Sequence, residues 1–351
     1  MRRIMSFNSV VFRCDANVAA GTGHVMRCLA LAQAWQAAGG RTVFAMSDAT
    51  SAMRTRLLSE GVEVVPIEAP AASADDARQV KDLARQHRAD WVALDGYHFN
   101  VGYQRELKSA GPKVLVLDDD GTEQHGPVDL ILNQNSNARE DLYAQREPHT
   151  RLLLGTRYAL LRREFVAWRE WKRDTAPTAC KLLVTMGGSD PDNLTSLAIH
   201  ALSMLKTEGL RSTVVAGGSN PHRDSLQRLV SGAGRSITLQ ESVSNMPELM
   251  AEADVAIIAA GGTLWELLYM SCPILSFARN LVQARILDSL QREGVVQYLG
   301  DPQHFEPAKL AQAIDELATS FDRRARMSKL GRQQVDGQGA RRVCEVLAAL
   351  N

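Results

Sequence analysis

What most constrains this chain is an alternation, sustained from end to end, of short apolar runs with helix-length segments. "VVFRCD", "TVFAM", "VEVVPI", "WVALDGY", "KVLVLDD", "DLILNQ" and "RLLLGT" follow one another in the first half, and "KLLVTM", "STVVAG", "SITLQ", "DVAIIAA", "CPILSF" and "VVQYLG" repeat the plan in the second. Such runs, too short for helices and separated by helical stretches, mark β-α-β units, whose right-handed crossovers make a sheet parallel and cover both its faces. Two doubly wound α/β domains are therefore expected, and a length of 351 residues suits two hydrophobic cores better than one. The stretch "WREWKRDTAPTAC", residues 168–180, has the charge, proline and lack of apolar period of a linker. The expected division is thus 1–167, a linker at 168–180, and 181–351, with the last helices able to pack back on the first domain.

Composition removes several functional classes. Lysine plus arginine equals aspartate plus glutamate at 40 each, so nothing electrostatic recommends a nucleic acid or an anionic membrane as partner. No apolar run approaches the roughly 20 residues that span a bilayer. The N-terminal "MRRIMSFNSVVFRCD" is basic, but its apolar part is too short for a signal peptide and offers no small-residue cleavage site. The five cysteines, Cys14, Cys28, Cys180, Cys272 and Cys344, are scattered and never spaced as CxxC, and they read as reduced thiols of a cytoplasmic protein. The eight histidines form no HExxH or HxH pattern, so neither a bound metal nor a cofactor is expected.

In doubly wound sheets ligands sit beyond the carboxyl ends of the strands, and the informative residues of this chain fall in those loops. "GTGHVMR" is one. Gly21 and Gly23 bracket a turn after the first apolar run, and Met26, Leu29, Ala30 and Ala34 recur at helical spacing, so His24 lies in the first turn of a helix. Met26 stands where a dinucleotide fingerprint would keep a third small residue, which disfavours a nicotinamide site. What remains is a helix N-terminus receptive to an anion, whose positive end disfavours a second proton on an imidazole; His24 reads as a neutral base or as a local cap. "GGSDPDNLT" is a second glycine-led start: Gly187 and Gly188 allow close backbone approach, Ser189 and Asp190 suit a cap, and Pro191 suits a first helical position. "GGTLWELL" is a third, with Gly261, Gly262 and Thr263 leading into a helix that carries Glu266. Asn280, after the next run, is either a substrate contact or an N-cap. Asp95, Tyr97 and His98 of "LDGYHF" and Asp118, Asp119 and Asp120 of "LDDDG" end their strands with polar groups, the second set being typical of turns.

Taken in order, "FRCDANVAAGTGHVMRCLALA", "LDGYHF", "LDDDG", "LILNQN", "GTRYALLRREF", "MGGSDPDNLT" and "GGTLWELLYMSCPILSF" resemble the UDP-sugar hydrolases of pseudaminic acid biosynthesis, over about residues 10–295. Those enzymes remove UDP from UDP-2,4-diacetamido-2,4,6-trideoxy-β-L-altropyranose, and they are similar in turn to the MurG-like glycosyltransferases. The resemblance implies a GT-B fold, two Rossmann-like domains facing across a cleft that holds UDP. It implies that His24 is the catalytic residue, that Tyr97, Glu266 and Asn280 contact the substrate, and that Asp15 and Arg27 shape the sugar site. With the loop residues Gly21, Gly23, Gly187, Gly188, Ser189, Asp190, Gly261, Gly262 and Thr263, these make up the expected substrate site. Two positions depart from the family pattern: Leu281 replaces a glutamine, and Ala260-Gly261-Gly262-Thr263 replaces GGST. The function expected is metal-independent, inverting hydrolysis of a UDP-sugar by a monomer, with neither nucleic acid nor membrane as partner. A MurG-like transferase and a non-catalytic nucleotide-sugar binding module are the competing readings.

Overall fold

A computed structural model describes residues 8–16, 21–109, 111–121, 124–234 and 236–351; residues 1–7 of the basic N-terminal stretch discussed above lie outside them. It divides into two compact units, one made of 1–163 with 337–351 and the other of 164–336.

Every apolar run named above is a strand. In the first unit β1 (Ser9–Cys14), β2 (Arg41–Met46), β3 (Glu63–Pro66), β4 (Ala89–Asp95), β5 (Lys113–Leu117), β6 (Leu130–Asn133) and β7 (Arg151–Leu154) form a parallel sheet in the order β3-β2-β1-β4-β5-β6-β7. Alternate residues of a strand point to opposite faces, and here each face has its own apolar cover. Val10, Phe12 and Cys14 join Phe44, Trp91, Ala93 and Leu115 against the helix Gly23–Ala37 and the last helix, Gly339–Leu350. Val11 joins Val43, Val92, Leu94 and Val114 against the helices Ala74–Gln86 and Val101–Lys108. That is why all six residues of β1 are buried. The last helix is tied to this sheet by the Trp91 indole, which donates to the Leu347 carbonyl at 3.2 Å and to Asn351 Oδ1 at 2.8 Å.

The second unit repeats the architecture. β8 (Lys181–Thr185), β9 (Arg211–Ala216), β10 (Ile237–Glu241), β11 (Val255–Ala259), β12 (Ile274–Phe277) and β13 (Gln297–Gly300) form a parallel sheet in the order β10-β9-β8-β11-β12-β13. In each sheet the chain starts in the middle, runs to one edge, then crosses over and builds the other half. The order therefore reverses between β1 and β4 in one unit and between β8 and β11 in the other, and loops diverge there to leave a crevice at the carboxyl ends.

The units part between Arg163 and Glu164, earlier than residue 167, and the last helix belongs to the first unit. Nor does the stretch 168–180 behave as a free linker. The Arg173 guanidinium donates to the carbonyls of Met250 at 2.6 Å and Ala253 at 2.5 Å and reaches that of Met270 at 3.3 Å, so it serves the carboxyl ends of two helices. Buried Arg324 donates to the Ala176 and Pro177 carbonyls, both at 2.9 Å. Composition marks the segment as irregular, but cannot show that these cations bind it to the second unit by satisfying orphan carbonyls.

Candidate active site

The turn after β1 and the end of β4 meet at the first reversal point. Gly21 sits at φ 75°, a left-handed conformation open to glycine, and the helix Gly23–Ala37 follows. Among the described residues no side chain caps that helix, and no acid lies in its first turn. His24 extends from that turn to Asp95, the last residue of β4 and the register partner of Cys14, with Nδ1 2.5 Å from Asp95 Oδ1. Arg27, one turn further along, forks onto the same carboxylate, Nε donating to Oδ2 at 2.6 Å and Nη2 to Oδ1 at 2.7 Å. Its Nη1 donates to Asp119 Oδ1 at 2.5 Å, and Tyr97 Oη donates to Asp119 Oδ2 at 2.7 Å. The Tyr97 ring meets the His24 ring edge-on, centroids 5.3 Å apart. The structure thus brings together His24, Arg27 and Tyr97, and adds Asp95 and Asp119, which the sequence shows only as polar strand ends.

Asp95 is 1% exposed. Burial pushes its carboxyl up, but Arg27 and His24 beside it outweigh that and hold it well below the usual carboxylate range. An ionised Asp95 accepts the Nδ1 proton of His24, which fixes the tautomer and leaves the Nε2 lone pair to take a proton. Partial burial and the Asp119 charge push the Tyr97 phenol above its ordinary range, so it acts as a hydrogen-bond donor.

Asp15 lies at the same end of the sheet with its oxygens engaged. Oδ1 accepts from the backbone of Ser47 at 2.8 Å and Asp48 at 3.0 Å, and Oδ2 accepts from Arg13 Nη1 at 2.7 Å. It fastens the turn after β1 to the turn after β2. Arg13, wholly buried, is held in turn by Asp76, with Nη2 2.9 Å from its Oδ2. Burial alone pushes Asp15 up, but His98 and Arg13 bring it well below the ordinary range.

In the second unit Gly187, Gly188, Ser189 and Asp190 follow β8 and Gly261 follows β11, on the two sides of its own reversal point, while Asn280 follows β12. Gly187, at φ 91°, and Gly188 follow β8, and Gly188 backbone packs so closely that a Cβ on Gly217 would stand 2.3 Å from its carbonyl oxygen. Ser189 and Asp190 are buried. Asp190 accepts from the backbone of Leu194 at 2.8 Å and Thr195 at 2.9 Å and from the Thr195 hydroxyl at 2.6 Å. This helix therefore starts at Leu194, not at Pro191, because Asn193 is left-handed at φ 53° and the Asp190 carboxylate already occupies the first N–H groups. After β11 the helix Gly262–Tyr269 has Gly261 at its N-cap and no side-chain cap among the described residues. A Cβ added at Gly261 or Gly262 would meet nothing within 4 Å. Thr263 and Glu266 follow on that helix, both half-buried. Asn280 caps the helix Leu281–Arg292, accepting from the Gln283 backbone at 2.9 Å, while Gln283 Oε1 accepts from the N–H of the preceding Arg279 at 2.8 Å. Leu281 beside it is 76% exposed.

Among the described residues no group of three or more His, Cys, Asp or Glu side chains is gathered as for a metal ion, and no helix is long and apolar enough to cross a membrane.

No protein-family model matches the chain. It is 24% identical over 315 residues to an uncharacterized protein of Methanocaldococcus jannaschii, covering 88% of this chain and 62% of that protein. The chain thus spans less than two thirds of that relative. It is 28% identical over 265 residues to the UDP-2,4-diacetamido-2,4,6-trideoxy-beta-L-altropyranose hydrolase of Campylobacter jejuni, covering 74% of this chain and 88% of that one. Among solved structures, MurG of Acinetobacter baumannii superposes with a TM-score of 0.66 at 16% identity, over 98% of this chain and 100% of that one. The fold is that of the GT-B glycosyltransferases. Its two Rossmann-like sheets are those expected from the spacing of the apolar runs.

Proposed function

We propose that this chain is a nucleotide-sugar hydrolase that removes UDP from UDP-2,4-diacetamido-2,4,6-trideoxy-β-L-altropyranose by attack of water at the anomeric carbon. The observation that carries the reading is the His24–Asp95 pair at the reversal point of the first sheet, 2.5 Å between Nδ1 and Oδ1, with Arg27 locking the carboxylate from its other side. A histidine held this way is a general base with its proton-accepting nitrogen turned away from the partner that orients it. The likeness to the Campylobacter hydrolase supports the choice of substrate.

In the reaction the water oxygen forms a bond to C1 as the C1–O bond to the β-phosphate breaks, and the bonding pair leaves with UDP. His24 Nε2 takes the proton of the water, Asp95 balances the charge on the ring, and a single displacement inverts the anomeric centre. The glycine-led helix start after β11 suits a diphosphate, since Gly261 and Gly262 leave open space over N–H groups that no side chain caps among the described residues. Glu266, one turn into its helix, suits the ribose hydroxyls.

Likeness to MurG favours one alternative, transfer of the sugar to an acceptor in place of water. Incubating the purified protein with the UDP-sugar, with and without sugar acceptors, separates the two. Hydrolysis predicts UDP and free sugar without acceptor, and a loss of about 10² to 10⁴ in turnover for His24→Asn with UDP binding retained. UDP release that requires an acceptor, or a His24→Asn protein of near-normal turnover, contradicts the proposal.

A further inference from the structure

The aspartates at the ends of β1 and β4 are neighbours, and each faces a histidine supplied by the turn of the other strand. Cys14 and Asp95 are register partners, so Asp15, the next residue, lies at the same edge of the sheet. His24, from the turn after β1, bonds Asp95 of β4. His98, from the turn after β4, places Nε2 3.7 Å from Asp15 Oδ2, an ion-pair distance that is too long for a hydrogen bond. The carboxylate is buried while the His98 side chain is 43% exposed, so the imidazole is the part of this second pair that solvent and ligands reach.

Its seat is specific. Gly96 is at φ 154°, and a Cβ there would stand 2.7 Å from His98 Cε1. The His98 ring packs on Phe99 with centroids 4.1 Å apart, and Phe99 rests on Tyr103 at 4.9 Å. The charged groups around it are Asp15 and, across the Phe99 ring, Arg13, whose guanidinium is 5.1 Å from the ring centroid and is itself paired with Asp15 and Asp76.

We propose that His98, seated on Asp15, is the proton-bearing partner of His24: one histidine serves the attacking water and the other the departing phosphoryl oxygen. The inference rests on the hydrolytic reading above. Inverting displacement needs a base on one side of C1 and a proton donor on the other, typically about 6.5–9.5 Å apart. His24 and His98 rise beyond the carboxyl ends of β1 and β4, which are neighbours in the sheet. As the C1–O bond breaks, its electron pair adds negative charge to the β-phosphate oxygen, and the His98 N–H donates to that oxygen. His24 gains the proton of the water, and both rings return to their starting states by exchange with solvent.

The test is the pH dependence of kcat/KM for wild type, His98→Gln and His98→Lys. Wild type should give a bell, losing rate in acid as the base fills and in alkali as the donor empties. His98→Gln should be slower by about 10²-fold and lose the alkaline limb while keeping the acid limb. His98→Lys, a cation whose unperturbed pKa is about 10.4, should recover much of the rate and carry the alkaline limb upward. A purely packing role predicts no change in either limb and no rescue by lysine. An intact alkaline limb in His98→Gln overturns the inference while leaving the hydrolytic reading in place; if His98→Gln does not fold, a wild-type alkaline limb in His98→Lys does the same. Absence of UDP release by wild type overturns both.

Discussion

Replacing Asp95 by asparagine perturbs the site at its centre. The carboxylate accepts from His24 Nδ1 at 2.5 Å, from Arg27 at 2.6 and 2.7 Å and from Cys28 Sγ at 3.5 Å, so every neighbour is a donor. An asparagine keeps one acceptor oxygen and turns an NH2 donor toward the rest. Breaking a buried pair costs about 3–5 kcal/mol, and because Asp119 still pairs Arg27 at 2.5 Å the lower end, about 3 kcal/mol, is expected in urea unfolding. The larger effect is on catalysis. With the amide NH2 facing Nδ1, the imidazole carries its proton on Nε2, where the base must be empty, and turnover should fall by about 10² to 10⁴ with little change in UDP affinity. Steady-state rates of UDP release with calorimetric UDP titration measure both. An Asp95→Asn protein that turns over near normally would refute the dyad, and one equally stable in urea would refute the buried pair.

The glycines of the second unit divide by what a side chain would meet. Gly261→Ala and Gly262→Ala should leave stability within about 0.5 kcal/mol, since the new Cβ meets nothing within 4 Å, yet weaken UDP about 10- to 100-fold if the phosphates approach those N–H groups. Gly217→Ala should instead destabilise the unit, its Cβ lying 2.3 Å from the Gly188 carbonyl oxygen; equal UDP titration curves for wild type and Gly261→Ala would remove the helix start from the site. Acid should unfold the first unit through Asp95 and Asp15, both held below an unfolded value of about 3.9. Carboxyls depressed in the folded state contribute stability above the unfolded pKa and lose it as pH falls through the folded one, so urea midpoints should drop steadily below about pH 4. That drop should be shallower in Asp95→Asn, and parallel curves would contradict the assignment.

How far the sequence reaches is clear residue by residue. Each apolar run is legible as a strand because a parallel sheet covered on both faces tolerates few polar interruptions. Arg13 is the exception within β1, and its need for Asp76 depends on a contact across the fold that no local pattern records. His24 is visible because it interrupts a glycine turn, whereas Asp95 is not, since an aspartate at a strand end is ordinary turn chemistry. In "LDDDG" that ordinary reading describes Asp118, whose oxygens accept from the backbone of Asp119 at 2.7 Å and Gly121 at 3.0 Å. It does not describe Asp119, the next residue, which faces Arg27 and Tyr97. Successive side chains point to opposite sides, and sequence alone does not say which side carries the site. The return of the last helix to the first sheet is likewise a tertiary fact, decided by the fit of Val343 and Leu347 beside Trp91.

Which bond breaks tests the central claim most directly. A base that activates water for C1 leaves the phosphorus–oxygen bonds of UDP untouched. In ¹⁸O-labelled water the label should appear at C1 of the released 2,4-diacetamido-2,4,6-trideoxy sugar, which should form first as the inverted anomer, and the UDP should carry none. Label in the nucleotide, or sugar 1-phosphate and UMP as products, would mean attack at phosphorus and would contradict the role assigned to His24.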